Sequence, residues 1–228
     1  MDQNISHKTH FGLFHIVALA YIIILIVSNV AATKVGFFLG QYLDIGTMYF
    51  PLLYIFNDVI TEVYGFRTSR KVLWVALGCN ICFALMLGIV SAIPGATDVD
   101  TTSSFDKIFN FLPRILAASV ISFLIGEYAN SVILAITKVK FSGQFFGFRA
   151  IFSTMIGVVI ESILFAFGAF YGKIDFDGIM SMIWMLVFVK VLYEFVSLPL
   201  TIKLVGYLKK KEKIDHYDYN TKFNIFPF

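Results

Sequence analysis

No Asp, Glu, Lys or Arg interrupts the chain between Phe11 and Thr33, and a second such run extends from Val72 to Thr97. A helix rises about 1.5 Å per residue, so roughly 20 apolar residues cross the ~30 Å hydrocarbon core of a bilayer. The runs are too long for strands and predict membrane-spanning helices. Six spans follow from the pattern, at about 11–33, 45–65, 72–94, 113–137, 150–172 and 178–206. The longest connection, "PGATDVDTTSSFDKIFN", is polar and turn-rich and is expected to hold a short surface helix ahead of Pro113. No second domain or convincing repeat interrupts the order. The expected fold is one all-α integral membrane domain over residues 1–228, with a basic tail at 207–228.

Composition agrees with this. Of 228 residues 58% are hydrophobic and 14% charged, against about 25% charged in soluble domains. The first apolar run exceeds the roughly 7–15 residues of a signal-peptide core, and only Lys8 precedes it; it reads as a retained helix. Lys and Arg divide unevenly between the two sides. With both termini inside, thirteen fall on the cytoplasmic side and four outside, while Lys190 lies within a span. That asymmetry orients the chain. The "LKKKEK" stretch then reads as a lipid-facing anchor and not as a nucleic-acid patch. Cys79 and Cys82 sit in the second apolar run without further metal ligands and read as packing residues. The four histidines, His7, His10, His15 and His216, lie near the ends, away from any intramembrane acid. No cofactor motif and no Walker motif is present.

Several charges interrupt the spans. Glu161 has eleven uncharged residues on each side, and Glu127 follows twelve, with Asn130 on the same helical face. Lys190 and Glu194 are four apart in the last span, and Asn29 lies near the outer end of the first. A charge at helix centre costs about 2.5–3.5 kcal/mol on insertion scales and usually marks a pathway or ligand site. Lys190 and Glu194 could satisfy each other as an i,i+4 pair, and the two asparagines could be interhelical glue. Asn29, Glu127, Asn130, Glu161, Lys190 and Glu194 are the candidate substrate-binding residues. In "FNDVITEVYGFRTSR" the acids Asp58 and Glu62 share a face just ahead of Arg67 and Arg70. They could form a cytoplasmic gate, or a static pair worth about 0–1 kcal/mol. The GxxxG spacings Gly36–Gly40 and Gly168–Gly172 permit a close helix contact and hence a homodimer.

The stretches "DVITEVYGFRTSRKVLW", "RILAASVISFLIGEYANS", "FSTMIGVVIESILFAFGAFYG" and "KVLYEFVSLPLTIKLVGYLKKKE" resemble the motifs of the queuosine-precursor transporter family. The likeness covers the chain from Asn29 to the basic tail. It implies a six-helix build similar to the substrate-binding subunits of energy-coupling-factor importers. It also implies import of 7-cyano-7-deazaguanine, its aminomethyl analogue or queuine across a bacterial inner membrane. Asn29, Asp58, Glu127, Asn130 and Lys190 match polar positions of the family. The fifth-helix motif departs from it: Val158 replaces an amide and Glu161 stands where an Asp is usual, which bears on which base is taken. A guanine-type edge presents two adjacent N–H donors, which one carboxylate accepts at once. The alternatives are a subunit needing a separate energy-coupling module, or an integral-membrane enzyme using Glu127, Glu161 and Lys190.

Overall fold

The computed structural model describes residues 12–95 and 100–226; His7, His10 and Lys8 lie outside them. Helix α1 (Gly12–Ala31) carries the first apolar run. A hairpin follows, β1 (Val35–Phe38) paired antiparallel with β2 (Gln41–Asp44). Its two turn residues, Leu39 and Gly40, both have positive φ, as the tightest hairpin turns require. Gly36 and Gly40 therefore sit on a hairpin and form no helix-contact stripe.

A 3-10 turn (Ile45–Met48) then leads into α2 (Phe50–Tyr64). Asp44 caps the turn, accepting from the Thr47 N–H at 3.0 Å and its hydroxyl at 2.6 Å. With 15 residues, α2 is about 22 Å long, too short to cross a bilayer alone. All but two of its side chains are buried. The expected span at 45–65 is thus a 3-10 turn and a short, protein-wrapped helix.

The remaining helices are α3 (Phe66–Ser91), α4 (Asp100–Lys140), α5 (Phe146–Phe170) and α6 (Phe176–Glu212). Among the described residues five helices, α1 and α3 to α6, are long and apolar enough to cross a membrane. The chain is an all-α integral membrane protein carrying one small hairpin. The surface helix expected ahead of Pro113 is instead the first part of α4, which runs on through the proline. Cys79 and Cys82 are exposed on α3 beside Ile81 and Leu85, facing outward where packing was expected.

Two apolar clusters hold the bundle together. One joins α1, α2 and α3 around Tyr21, Leu53, Val59 and Leu73. The other joins α4, α5 and α6 around Ile115, Phe165, Ala169 and Leu186. The tightest pairing is α4 with α5. A Cβ added at Gly126 would lie 2.8 Å from the Gly157 carbonyl oxygen, and one at Gly157 2.7 Å from that of Gly126. Only hydrogen at both positions lets the backbones meet this closely. Gly168 likewise rests on Ala118 within the same chain, so its spacing motif is used internally.

After α6 the chain turns back as a strap beneath the end of the bundle that carries the α2–α3 and α4–α5 turns. The His216 N–H donates to the Val63 carbonyl at 3.2 Å, and Asp218 caps α3 by accepting from the Phe66 N–H at 3.0 Å. Tyr128 and Trp74 donate to the carbonyls of Phe223 and Ile225, and Phe226 stacks on Trp74.

Candidate functional site

The interior charges fall into three groups along the bundle. In the first, Glu127 of α4 is buried near Tyr21 of α1 and Arg70 of α3. Glu127 is fully buried, and neither carboxylate oxygen has a hydrogen-bond partner among the described residues. Asn130 lies one turn on but gives its amide hydrogen to Asp58 at 2.8 Å. Arg70 approaches from α3, held between the rings of Phe66 and Tyr128. Its Nη2 donates to the Glu127 carbonyl at 3.2 Å and to the Ser131 hydroxyl at 2.6 Å. Its Nε and Nη1 are buried and unpartnered, as are the Tyr21 hydroxyl and the Asn29 side-chain oxygen on α1. Buried polar groups are nearly always paired. The Glu127 carboxylate, one edge of the Arg70 guanidinium and the Tyr21 phenol are thus left without protein partners among the described residues.

The second group is closed on itself. Lys190 of α6 donates to Glu161 of α5, and Tyr54 donates to the same carboxylate at 3.3 Å. Lys190 also lies 5.1 Å above the Phe50 ring. The i,i+4 pairing of Lys190 with Glu194 does not form. Between the two groups stands an aromatic wall, in which Phe123 meets Phe50, Tyr21 and Tyr54 at 6.0, 6.4 and 6.4 Å between centroids. Trp184 is 76% exposed and takes no part. Asp44 lies near the Lys190 pair from the hairpin side. Burial pushes its carboxyl upward, against the two hydrogen bonds from Thr47.

The third group ties the strap end. Glu62 receives both guanidinium nitrogens of Arg149 at 3.1 and 3.2 Å and the Lys209 ammonium at 2.7 Å. Lys138 donates to the Glu62 carbonyl at 2.6 Å, to Asp215 at 2.7 Å and to the His216 carbonyl at 2.7 Å. Burial pushes the Asp215 carboxyl up, but hydrogen bonds from Lys138 and Lys209 outweigh it and hold it below the usual range. Thus Asp58 and Glu62 are both inside the bundle, but their partners are not Arg67 and Arg70. Asp58 accepts from Asn130 and from Thr154 at 3.5 Å, Arg67 is exposed, and Arg70 turns to α4. Arg149, Lys138 and Lys209 entered the sequence reading only as topology markers. Lys209, read as part of a lipid-facing anchor, points inward. Tyr21, Tyr54 and Phe123 were not singled out, although Tyr54 precedes Asp58 and Phe123 precedes Glu127 by one helical turn.

The profile of a family described as "Putative vitamin uptake transporter" matches residues 44–204, from the Asp44 cap through the last interior charge. The chain belongs to the vitamin uptake transporter family. It is 24% identical over 179 residues to a "Probable queuosine precursor transporter" of Bacillus subtilis (strain 168), covering 75% of this chain and 76% of that protein. No solved structure matches the chain at a significant level. This vitamin uptake transporter family member is a multi-pass membrane transporter, not an enzyme.

Proposed function

We propose that the chain imports a 7-deazaguanine precursor of queuosine across a bacterial inner membrane, with Glu127 reading the base. The observation that carries this is the buried Glu127 carboxylate with both oxygens free. A guanine-type ring offers N1–H and its 2-amino group side by side, and one carboxylate accepts both in a charge-assisted pair. The open Arg70 edge supplies donors for the O6 acceptor, and Tyr21 and Asn29 complete the rim. Phe123, one turn from Glu127, offers a face for the ring, a contact worth about 1–3 kcal/mol per base. The Bacillus subtilis relative's name points to the same substrate class.

In this reading both termini are cytoplasmic, and the Glu62–Arg149–Lys209 knot closes the cytoplasmic end. Release then requires Glu62 to part from its cations, so the gate is Glu62 with Arg149 and Lys209, and Asp58 follows one turn behind. The test is a binding titration of the purified protein with 7-cyano-7-deazaguanine, its aminomethyl analogue, queuine and guanine, in parent and Glu127→Gln. Saturable binding of a deazaguanine that weakens in the variant is expected. Equal binding in both would remove Glu127 from the site, and no binding of any of the four would remove the substrate class. Uptake in a host lacking every energy-coupling module separates a solitary transporter from a subunit that needs one.

A further inference from the structure

Glu194 is the buried acid that the substrate reading leaves unused. Its sequence neighbour Lys190 is committed to Glu161 across the α5–α6 interface. One turn further along α6, Glu194 is 1% exposed, and neither of its carboxylate oxygens has a partner among the described residues. The buried charged groups on the surrounding elements are Asp44 on β2, Asp58 and Glu62 on α2, Arg70 on α3, Glu127 and Lys138 on α4, Arg149 and Glu161 on α5, and Lys190 on α6 itself. Arg149 and Lys138 converge with Lys209 on Glu62 at the strap end. That leaves the interior with five carboxylates, those of Asp44, Asp58, Glu127, Glu161 and Glu194. Against them stand two cations, Arg70 and Lys190. Three negative charges are in excess. Asp44 is held as an acceptor by Thr47 and Asp58 by Asn130 and Thr154, and Glu127 faces Arg70. Glu194 has neither a donor nor a cation. A carboxylate taken out of water with no partner is strongly disfavoured as an ion and binds a proton instead.

We propose that Glu194 is the proton carrier of the transport cycle, protonated in the state seen here and ionised when the cytoplasmic end opens. One proton then enters with each molecule of substrate. Geometry supplies the route. Helix α6, which carries Glu194, packs against α2, which carries Asp58, and Asp58 sits one turn from Glu62 in the knot that closes that end. When Glu62 parts from Arg149 and Lys209, water reaches Asp58 and then Glu194. The carboxyl O–H bond breaks, the proton leaves to water, and the carboxylate is reset from the opposite side. The inference rests on the transport reading and is independent of which deazaguanine is carried.

The test uses the full chain in proteoliposomes at zero membrane potential, with labelled 7-cyano-7-deazaguanine as probe. Counterflow at equal pH needs transport but no gradient, and both parent and Glu194→Gln should show it. An inside-alkaline gradient of one pH unit should raise accumulation in the parent up to about ten-fold, the limit for one proton per substrate. It should leave Glu194→Gln unmoved. Intact counterflow with no response to the gradient in the parent, or an equal response in the variant, overturns the proposal. Infrared difference spectroscopy gives a readout that needs no substrate. A protonated-carboxyl band should appear in the parent and vanish in Glu194→Gln, and its absence from the parent overturns the proposal even where counterflow fails. Loss of counterflow in the parent with the band present overturns the deazaguanine reading alone.

Discussion

Glu127 and Glu161 look alike in sequence, each a lone acid in a long apolar helix, yet their surroundings oppose them. Glu127→Gln removes a carboxylate whose oxygens accept no hydrogen bond among the described residues, although its charge faces Arg70. It should weaken base binding ten- to hundred-fold, or about 1.5–3 kcal/mol, with a smaller loss of thermal stability than Glu161→Gln, because Arg70 keeps its bonds to the Glu127 carbonyl and Ser131. Glu161→Gln strips Lys190 of its buried counter-ion and should destabilise by about 3–5 kcal/mol. Side-by-side titration and melting curves check both, and a reversed pattern would exchange the two roles. Asp215 offers a pH-dependent case. Its folded pKa lies below the unfolded value, about 3.9, so its contribution is present above that value and is lost as pH falls through the folded one. Because Asp215 is 42% exposed, Asp215→Asn should cost only about 0.5 kcal/mol at neutral pH. The gap between the two melting curves should close under acid. The interior acids were legible in the sequence because a charge in an apolar run stands out. Their pairing was not, since a 29-residue separation joins Lys190 to Glu161 and one of 87 joins Arg149 to Glu62.

The long helices were equally legible, because an uninterrupted apolar run of membrane length has few other outcomes. The hairpin and the shortness of α2 were not. Val35 to Asp44 is too brief for a two-residue period to stand out, and α2 is apolar on nearly every face because protein, not lipid, surrounds it. The junction between α2 and α3 is a further element-level feature. Gly65 has φ 86° and ψ 165°, a region closed to other residues at a cost of order 1–3 kcal/mol. A Cβ there would also run into the His216 ring. Gly65→Ala should therefore lower the melting temperature and loosen the strap together. Limited trypsin digestion checks this, with faster cleavage after Lys213 or Lys222 expected. An intact strap would show that His216 can move aside freely.

Across the whole molecule, the uneven basic charge predicts a sidedness that labelling can read. With Cys79 and Cys82 replaced, single cysteines in residues 98–106 should react with an impermeant reagent in intact cells, and those in 140–147 should not. The opposite result would move the Glu62 knot, and the gate built on it, to the outer face. The same knot also has a history in time. A ribosome delivers Glu62 long before its partners, since Lys138 follows 76 residues later, Arg149 87 later and Lys209 147 later. Until then α2 is a 15-residue helix holding two unanswered acids, with little reason to enter lipid. Helices α1 and α3 can insert as they emerge. α2 must wait at the membrane surface or within the insertion machinery until α4, α5 and α6 arrive to enclose it. The centre of the finished transporter is thus the last part of it to be built.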